Sequence, residues 1–139
     1  MSWQLYAFIS ALFAALTAIF AKIGIKGVDS NLATAIRTIV ILIFAWSIVL
    51  FQGTTSSLGS LSSYTLLFLI LSGITTGISW LFYFRALQLG TASQVAPIDK
   101  LSMVLTIILA VLILKEKLSL LTIIGTILMS VGAICIALG

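Results

Sequence analysis

Three ionisable residues stand within or beside long apolar runs, where their charges could bind a solute or pair with each other. They are Arg85, Asp99 and Lys100. A charge in such a run is costly and usually faces a cavity or a partner, so each residue is a candidate for function. Arg85 and Asp99 would lie about 6 Å and about 9 Å from the short turn between their helices. The planar guanidinium of Arg85 could therefore hold the carboxylate of Asp99.

A simpler interpretation of the same charges stays open. The long stems of Arg85 and Lys100 can reach the lipid headgroups, and Asp99 can be an acid in a first helical turn, stabilised by the helix dipole. Adjacent residues on a helix point about 100° apart, so Asp99 and Lys100 cannot both face one cavity centre. We therefore interpret Lys100 as an interfacial residue.

Hydroxyl and aromatic side chains accompany these charges at helical spacing. The aromatic run WLFYF (Trp80–Phe84) could stack on an organic cation or a ring, or could belong to a lipid-facing aromatic belt. Pro97 removes a backbone donor and predicts a bent or irregular start of its helix, unless it occupies the first turn. The predicted cavity residues are Arg85, Asp99, Trp80, Tyr83, Ser79, Thr76, Ser102 and Thr106.

The composition determines which elements must position these residues. Of 139 residues, 62% are hydrophobic and 7% are charged, whereas a soluble domain carries roughly a quarter charged residues. A membrane-spanning helix needs about 20 mainly apolar residues. The sequence therefore predicts an all-α integral membrane protein, one five-helix domain over residues 1–139. The predicted helices cover residues 3–21, 32–51, 64–89, 94–114 and 118–138.

Several function classes are disfavoured by the same composition. The chain has no histidine, one cysteine (Cys135) and no clustered acids. These absences argue against an enzyme, a metal site, a cofactor or an internal disulfide. The basic residues are dispersed near the ends of apolar runs, as membrane cations are, and do not form a nucleic-acid footprint.

The helix count and the charge balance suggest how the chain assembles. Five spans place the termini on opposite sides, and the basic residues are nearly balanced between the two sides. Transporters are often built from inverted repeats, which a lone unit can obtain only if two copies insert in opposite orientations. We therefore predict a dual-topology, antiparallel homodimer. Gly125, Gly132 and Met129 between them are its interface candidates, because small residues let membrane helices approach closely.

Two long segments carry a family resemblance. YFRALQLGTASQVAPIDKLS and the following LAVLILKEKLSLLTIIGTILMSVGAICIAL resemble an EamA domain of the drug/metabolite transporter superfamily. The resemblance covers essentially the whole chain, and its specific parts include Pro97, Glu116 and the glycine-rich last helix. Most members carry two such domains, so this chain resembles the single-domain members that pair.

The resemblance implies a secondary transporter of a small metabolite or drug-like molecule in a bacterial or archaeal inner membrane. It also implies that helices three and four line the cavity and that the last helix joins two halves. The alternative is an accessory or heterodimer-partner subunit without a transport pathway of its own.

Overall fold

The structure is a computed structural model that describes residues 2–139. All of its secondary-structure elements within these residues are helices. Six α-helices and one 3₁₀ helix follow one another, and the described residues contain no strand. The elements are α1 (Trp3–Gly24), α2 (Ser30–Gln52), a 3₁₀ helix (Thr54–Ser60), α3 (Ser63–Leu89), α4 (Ala92–Asp99), α5 (Ser102–Leu114) and α6 (Leu120–Leu138).

Five helical stretches are long and apolar enough to cross a membrane. Four of them are α1, α2, α3 and α6, and the fifth, Ala92–Leu114, combines α4 and α5. The prediction of an all-α chain with five apolar helices is therefore confirmed. The helix ends lie within three residues of the predicted ones, and the differences of two or three residues are at the end of α1 (Gly24) and at the starts of α2 (Ser30), α4 (Ala92) and α6 (Leu120).

Local chemistry explains where α2 begins and ends and where α6 begins. The carboxylate of Asp29 accepts hydrogen bonds from the backbone N–H groups of Asn31 and Leu32, at 2.9 and 3.0 Å, and so caps α2. Gly53 ends that helix in the left-handed conformation, with φ 66°. At α6, the hydroxyl of Ser119 accepts from the N–H of Thr122 at 3.1 Å.

The fourth apolar stretch is broken in its first half. α4 contains Pro97 and ends at Asp99, and α5 begins at Ser102. Across the break the backbone bonds tighten: the N–H of Leu101 donates to Ile98 O at 2.9 Å, three residues back rather than four. Proline has no N–H and its ring crowds the preceding turn, whereas the irregular segment begins three residues after Pro97, beyond the turn that the proline disturbs directly.

The chain divides into two compact units. The first comprises the residues up to Lys22 together with Leu89–Gly139, so it contains most of α1 and all of α4, α5 and α6. In this unit α4 and α5 pack against α6, and the buried side chains are those of Ala18, Val95 and Ala133. The ammonium of Lys22 donates to Gly90 O at 2.6 Å, which ties the end of α1 to the start of the unit's second segment.

The second unit, Ile23–Gln88, contains α2 and nearly all of α3. Its buried residues are Ile25, Ser30, Thr34, Phe84 and Leu87. They lie on the loop before α2, on the first turns of α2 and on the last turns of α3. The core of this unit is therefore at one end of its two helices.

Candidate functional site

The polar residues of α3 divide between two sides of the helix. At 100° per residue, Thr76, Ser79, Trp80 and Tyr83 fall on one side, and Arg85 falls two residues beyond Tyr83 on the opposite side. The hydroxyl of Thr76 donates to its own backbone, to Ser72 O at 2.8 Å. α3 therefore groups four of the predicted cavity residues and separates Arg85 from them.

Arg85 is exposed, and its guanidinium donates to the side-chain oxygen of Gln88 at 3.0 Å. Gln88 in turn donates through its amide nitrogen to Val28 O at 2.5 Å and to Ile25 O at 3.5 Å. The second unit thus contains a chain of hydrogen bonds that joins the end of α3 to the loop before α2. The predicted pairing of Arg85 with Asp99 stays a prediction.

Asp99 lies at the break of the fourth stretch. Its carboxylate forms an ion pair with the ammonium of Lys100, with 3.4 Å between Oδ2 and Nζ. The side chain of Asp99 is 34% exposed and that of Lys100 is 52% exposed, so the pair is open to its surroundings. Because α4 ends at Asp99, the carboxylate does not have the first-turn position that would give it the full benefit of the helix dipole.

Ser102 and Thr106 lie just beyond the break, in the first turns of α5. Four residues apart, they share one face of the helix, and both are exposed. The hydroxyl of Thr106 donates to Ser102 O at 2.8 Å, which leaves the lone pairs of the hydroxyl oxygen available to a solute.

The glycine face of α6 is open in the single chain. A methyl group added at Gly125 or at Gly132 would meet no atom within 4 Å, and Met129 is 47% exposed. The part of α6 that packs within its own unit includes the buried Ala133. Nothing in the described chain uses the close approach that these glycines permit.

A further charged group, not predicted from the sequence, lies between α2 and α3. The guanidinium carbon of Arg37 is 4.4 Å from the centroid of the Trp80 ring and 5.1 Å from that of Phe84. Tyr83 meets Phe84 edge to face, with ring centroids 6.2 Å apart. The second unit therefore holds a half-buried cation against the aromatic residues of α3.

The sequence contained a weak signal for this group. From the sequence, α2 is predicted to begin at residue 32, and Arg37 then lies among the cations near the ends of apolar runs. With the helix beginning at Ser30, Arg37 lies seven residues inside it, about 10 Å along the axis. A helix start assigned at the Asp29 cap would have placed Arg37 among the embedded charges.

Metal chemistry has no candidate ligand cluster in residues 2–139. No group of three or more histidine, cysteine, aspartate or glutamate side chains comes together there. The arrangement offers instead two sets of side chains for non-covalent binding, one in each unit. One is the Arg37 cation with the aromatic residues of α3, and the other is Asp99 with the hydroxyls of α5.

Comparison with known proteins adds a family and a relative. Residues 1–138 match the EamA-like transporter family. A relative from Sinorhizobium sp., named "uncharacterized transporter in cobO 3'region", is 50% identical over 136 residues, which cover 98% of this chain and 96% of the relative. No solved structure matches the chain.

Proposed function

Because the chain belongs to the EamA-like transporter family and is a multi-pass membrane protein, we propose that it is a secondary transporter. It moves a small metabolite or drug-like molecule across the inner membrane of a bacterium or archaeon. The observation that carries the proposal is the family match over residues 1–138. The Sinorhizobium relative supports the proposal, because it is named a transporter and the match covers 98% of this chain and 96% of the relative.

The working unit of the proposed transporter is an antiparallel homodimer. Five spans place the two ends of the domain on opposite sides, so a second, inverted copy supplies the symmetry on which many transporters are built. The open glycine face of α6 supports this arrangement, because it permits a close helix–helix approach that the single chain does not use.

The proposed solute pathway is lined by the predicted polar and aromatic residues. α3 contributes Thr76, Ser79, Trp80 and Tyr83, and the broken fourth stretch contributes Asp99, Ser102 and Thr106. Irregular backbone at membrane depth is tolerated where it is buried or lines a cavity, and the break after Pro97 fits that rule. Arg85 remains the proposed partner of Asp99.

Reconstitution tests the proposal. The purified chain in proteoliposomes is expected to accumulate at least one member of a metabolite library above protein-free liposomes. For that solute, Thr106→Val should lower uptake by about fivefold, since one lost hydrogen bond is worth about 1 kcal/mol. Thr126→Val is the matched control, because its hydroxyl also donates to the preceding turn, to Thr122 O at 2.7 Å, and lies outside the proposed pathway.

The contrary result is equally specific. Circular dichroism shows whether the protein is folded and helical. If such protein moves no solute in the library, an independent transport pathway is contradicted. Such protein would instead fit the accessory-subunit alternative. Equal losses in Thr106→Val and Thr126→Val would contradict the assignment of Thr106 to the pathway.

A further inference from the structure

Arg37 is the single charged residue of α2 and has no acidic partner in its unit. Neither α2 nor α3 contains an aspartate or glutamate. Within Ile23–Gln88 the only acid is Asp29, whose carboxylate already accepts two backbone hydrogen bonds at the start of α2. The charge of Arg37 is therefore not neutralised by the unit that holds it.

The contacts of Arg37 leave its hydrogen-bond donors unused. A guanidinium has five N–H donors and stays ionised in proteins. Within residues 2–139, Arg37 makes ring contacts with Trp80 and Phe84, but no hydrogen bond and no ion pair. Cation–π attraction acts through the ring faces and consumes no donor. An ionised group among apolar helices needs hydrogen-bond acceptors, and the described residues of its own unit provide none to Arg37.

The position of the rings argues that Arg37 does not simply extend to the lipid headgroups. Trp80 and Phe84 lie about 13 Å and about 7 Å before the end of α3. A snorkelling cation reaches outward along its stem until its head is in the interface. The guanidinium of Arg37 is held instead at the level of two rings inside the apolar stretch.

Two glycines lie on the same side of α3 as Trp80. Gly77 precedes Trp80 by one helical turn, and Gly73 precedes Gly77 by another. A methyl group added at either glycine would meet no atom within 4 Å. The body of a small molecule can therefore lie along the glycines while its polar end reaches Arg37.

We infer that Arg37 binds an oxyanion group of the transported solute, a carboxylate or a phosphate, and that the solute is accordingly an organic anion. Trp80 and Phe84 position the guanidinium, and its planar fork of donors matches the two oxygens of such a group. This inference rests on the proposed transport function, because it assigns the class of solute that the transporter carries.

Tryptophan fluorescence can report binding at this position directly. The full chain has three tryptophans, and Trp3→Phe with Trp46→Phe leaves Trp80 as the sole emitter. This background is placed in nanodiscs of zwitterionic phosphatidylcholine and titrated with benzoate and phenyl phosphate. Benzamide, which has the shape of benzoate without its charge, is the neutral counterpart.

The expected result is a saturable change in Trp80 emission with at least one of the two anions, and at least tenfold weaker binding of benzamide. Arg37→Gln should abolish the response, and Arg37→Lys should weaken it about tenfold, because lysine keeps the charge but loses the fork. Lys26→Gln is the control, since it removes an exposed cation in the loop before α2 and should leave the response unchanged.

Three outcomes would overturn the inference. One is the absence of an anion response that depends on Arg37. Another is a response that appears only when phosphatidylglycerol replaces phosphatidylcholine, which would assign Arg37 to a lipid phosphate. The third is that Arg37→Gln separates the protein into monomers, which would assign it to a second copy of the chain.

Uptake into proteoliposomes, measured with the same variants, separates this inference from the proposed function. If Arg37→Gln still takes up library solutes and Trp80 shows no anion response, the transport function is supported and the binding role of Arg37 is contradicted. If the Trp80 response depends on Arg37 but the protein moves no solute, anion binding at Arg37 is supported and the transport function is contradicted.

Discussion

Gln88 is the residue that joins the end of α3 to the loop before α2. Its amide nitrogen donates to two carbonyls of that loop, Val28 O and Ile25 O, and its side-chain oxygen accepts from Arg85. The side chain is half-buried beside Leu87, which is fully buried. Gln88 therefore satisfies loop carbonyls next to the unit's core, where unpaired polar groups are costly.

We expect Gln88→Glu to destabilise the protein by about 1 to 3 kcal/mol, because the loop carbonyls lose their donor and face a carboxylate instead. The acceptor for Arg85 is kept, so the change isolates the lost donor. The midpoint of unfolding in sodium dodecyl sulfate, followed by circular dichroism, measures the effect. Gln94→Glu should be nearly neutral, since that side-chain oxygen only accepts from Thr91, at 2.8 Å. An equal loss in both variants would contradict the role given to Gln88.

Arg37 shows what a single sequence can and cannot predict at this scale. Its charge and its place in an apolar run are visible in the sequence. Its contact with Trp80 depends on how α2 and α3 are aligned, and that alignment brings together residues 43 positions apart. Periodicity within one helix contains no information about this register, so the aromatic pair was predicted as a feature of α3 alone.

At the scale of the elements, the five apolar helices were predictable because length and hydropathy decide them. The predicted helix ends lie within three residues of the observed ones, and α6 begins at Leu120, after the Ser119 cap, and not at residue 118. The end of α1 at Gly24 and the start of α2 at Ser30 differ from the predicted residues 21 and 32, because glycine and serine also suit loops. The break at Lys100–Leu101 lies after Pro97, whereas proline disturbs the turn that precedes it, so the proline alone does not predict where the stretch breaks.

The end of α5 gives a prediction at the same scale. Lys115 terminates the helix with φ 55°, a left-handed conformation that is unfavourable for a residue with a Cβ atom. Lys115→Gly should therefore raise the unfolding free energy by about 0.5 to 1 kcal/mol, after allowing for the greater freedom of glycine in the unfolded chain. The detergent-unfolding midpoint measures it. Lys117→Gly also removes one charge but relieves no left-handed residue, so a gain there would contradict the explanation.

At the scale of the whole molecule, the surface of the single chain is apolar along all of its long helices, which suits contact with lipid. The spans contain few charged residues. The carboxylate of Asp99 needs hydrogen-bond donors or cations, and the guanidinium of Arg37 needs acceptors. An inverted second copy would place two such sets around one pathway, and this is why the assembly decides how the proposed binding groups act.

The glycine face of α6 provides the test of that assembly. Gly132→Leu should weaken dimerisation at least tenfold, about 1.4 kcal/mol, because bulk at this position prevents the close approach of two helices. Within one chain the same change meets open space, so the monomer fold should persist. Energy transfer between labelled chains, measured across protein-to-lipid ratios in liposomes, gives the affinity. Val131→Leu adds bulk on a neighbouring face and should leave the affinity unchanged. Wild-type protein that stays monomeric at every ratio would contradict the homodimer, and reporters on both termini that show a single orientation would contradict its antiparallel form.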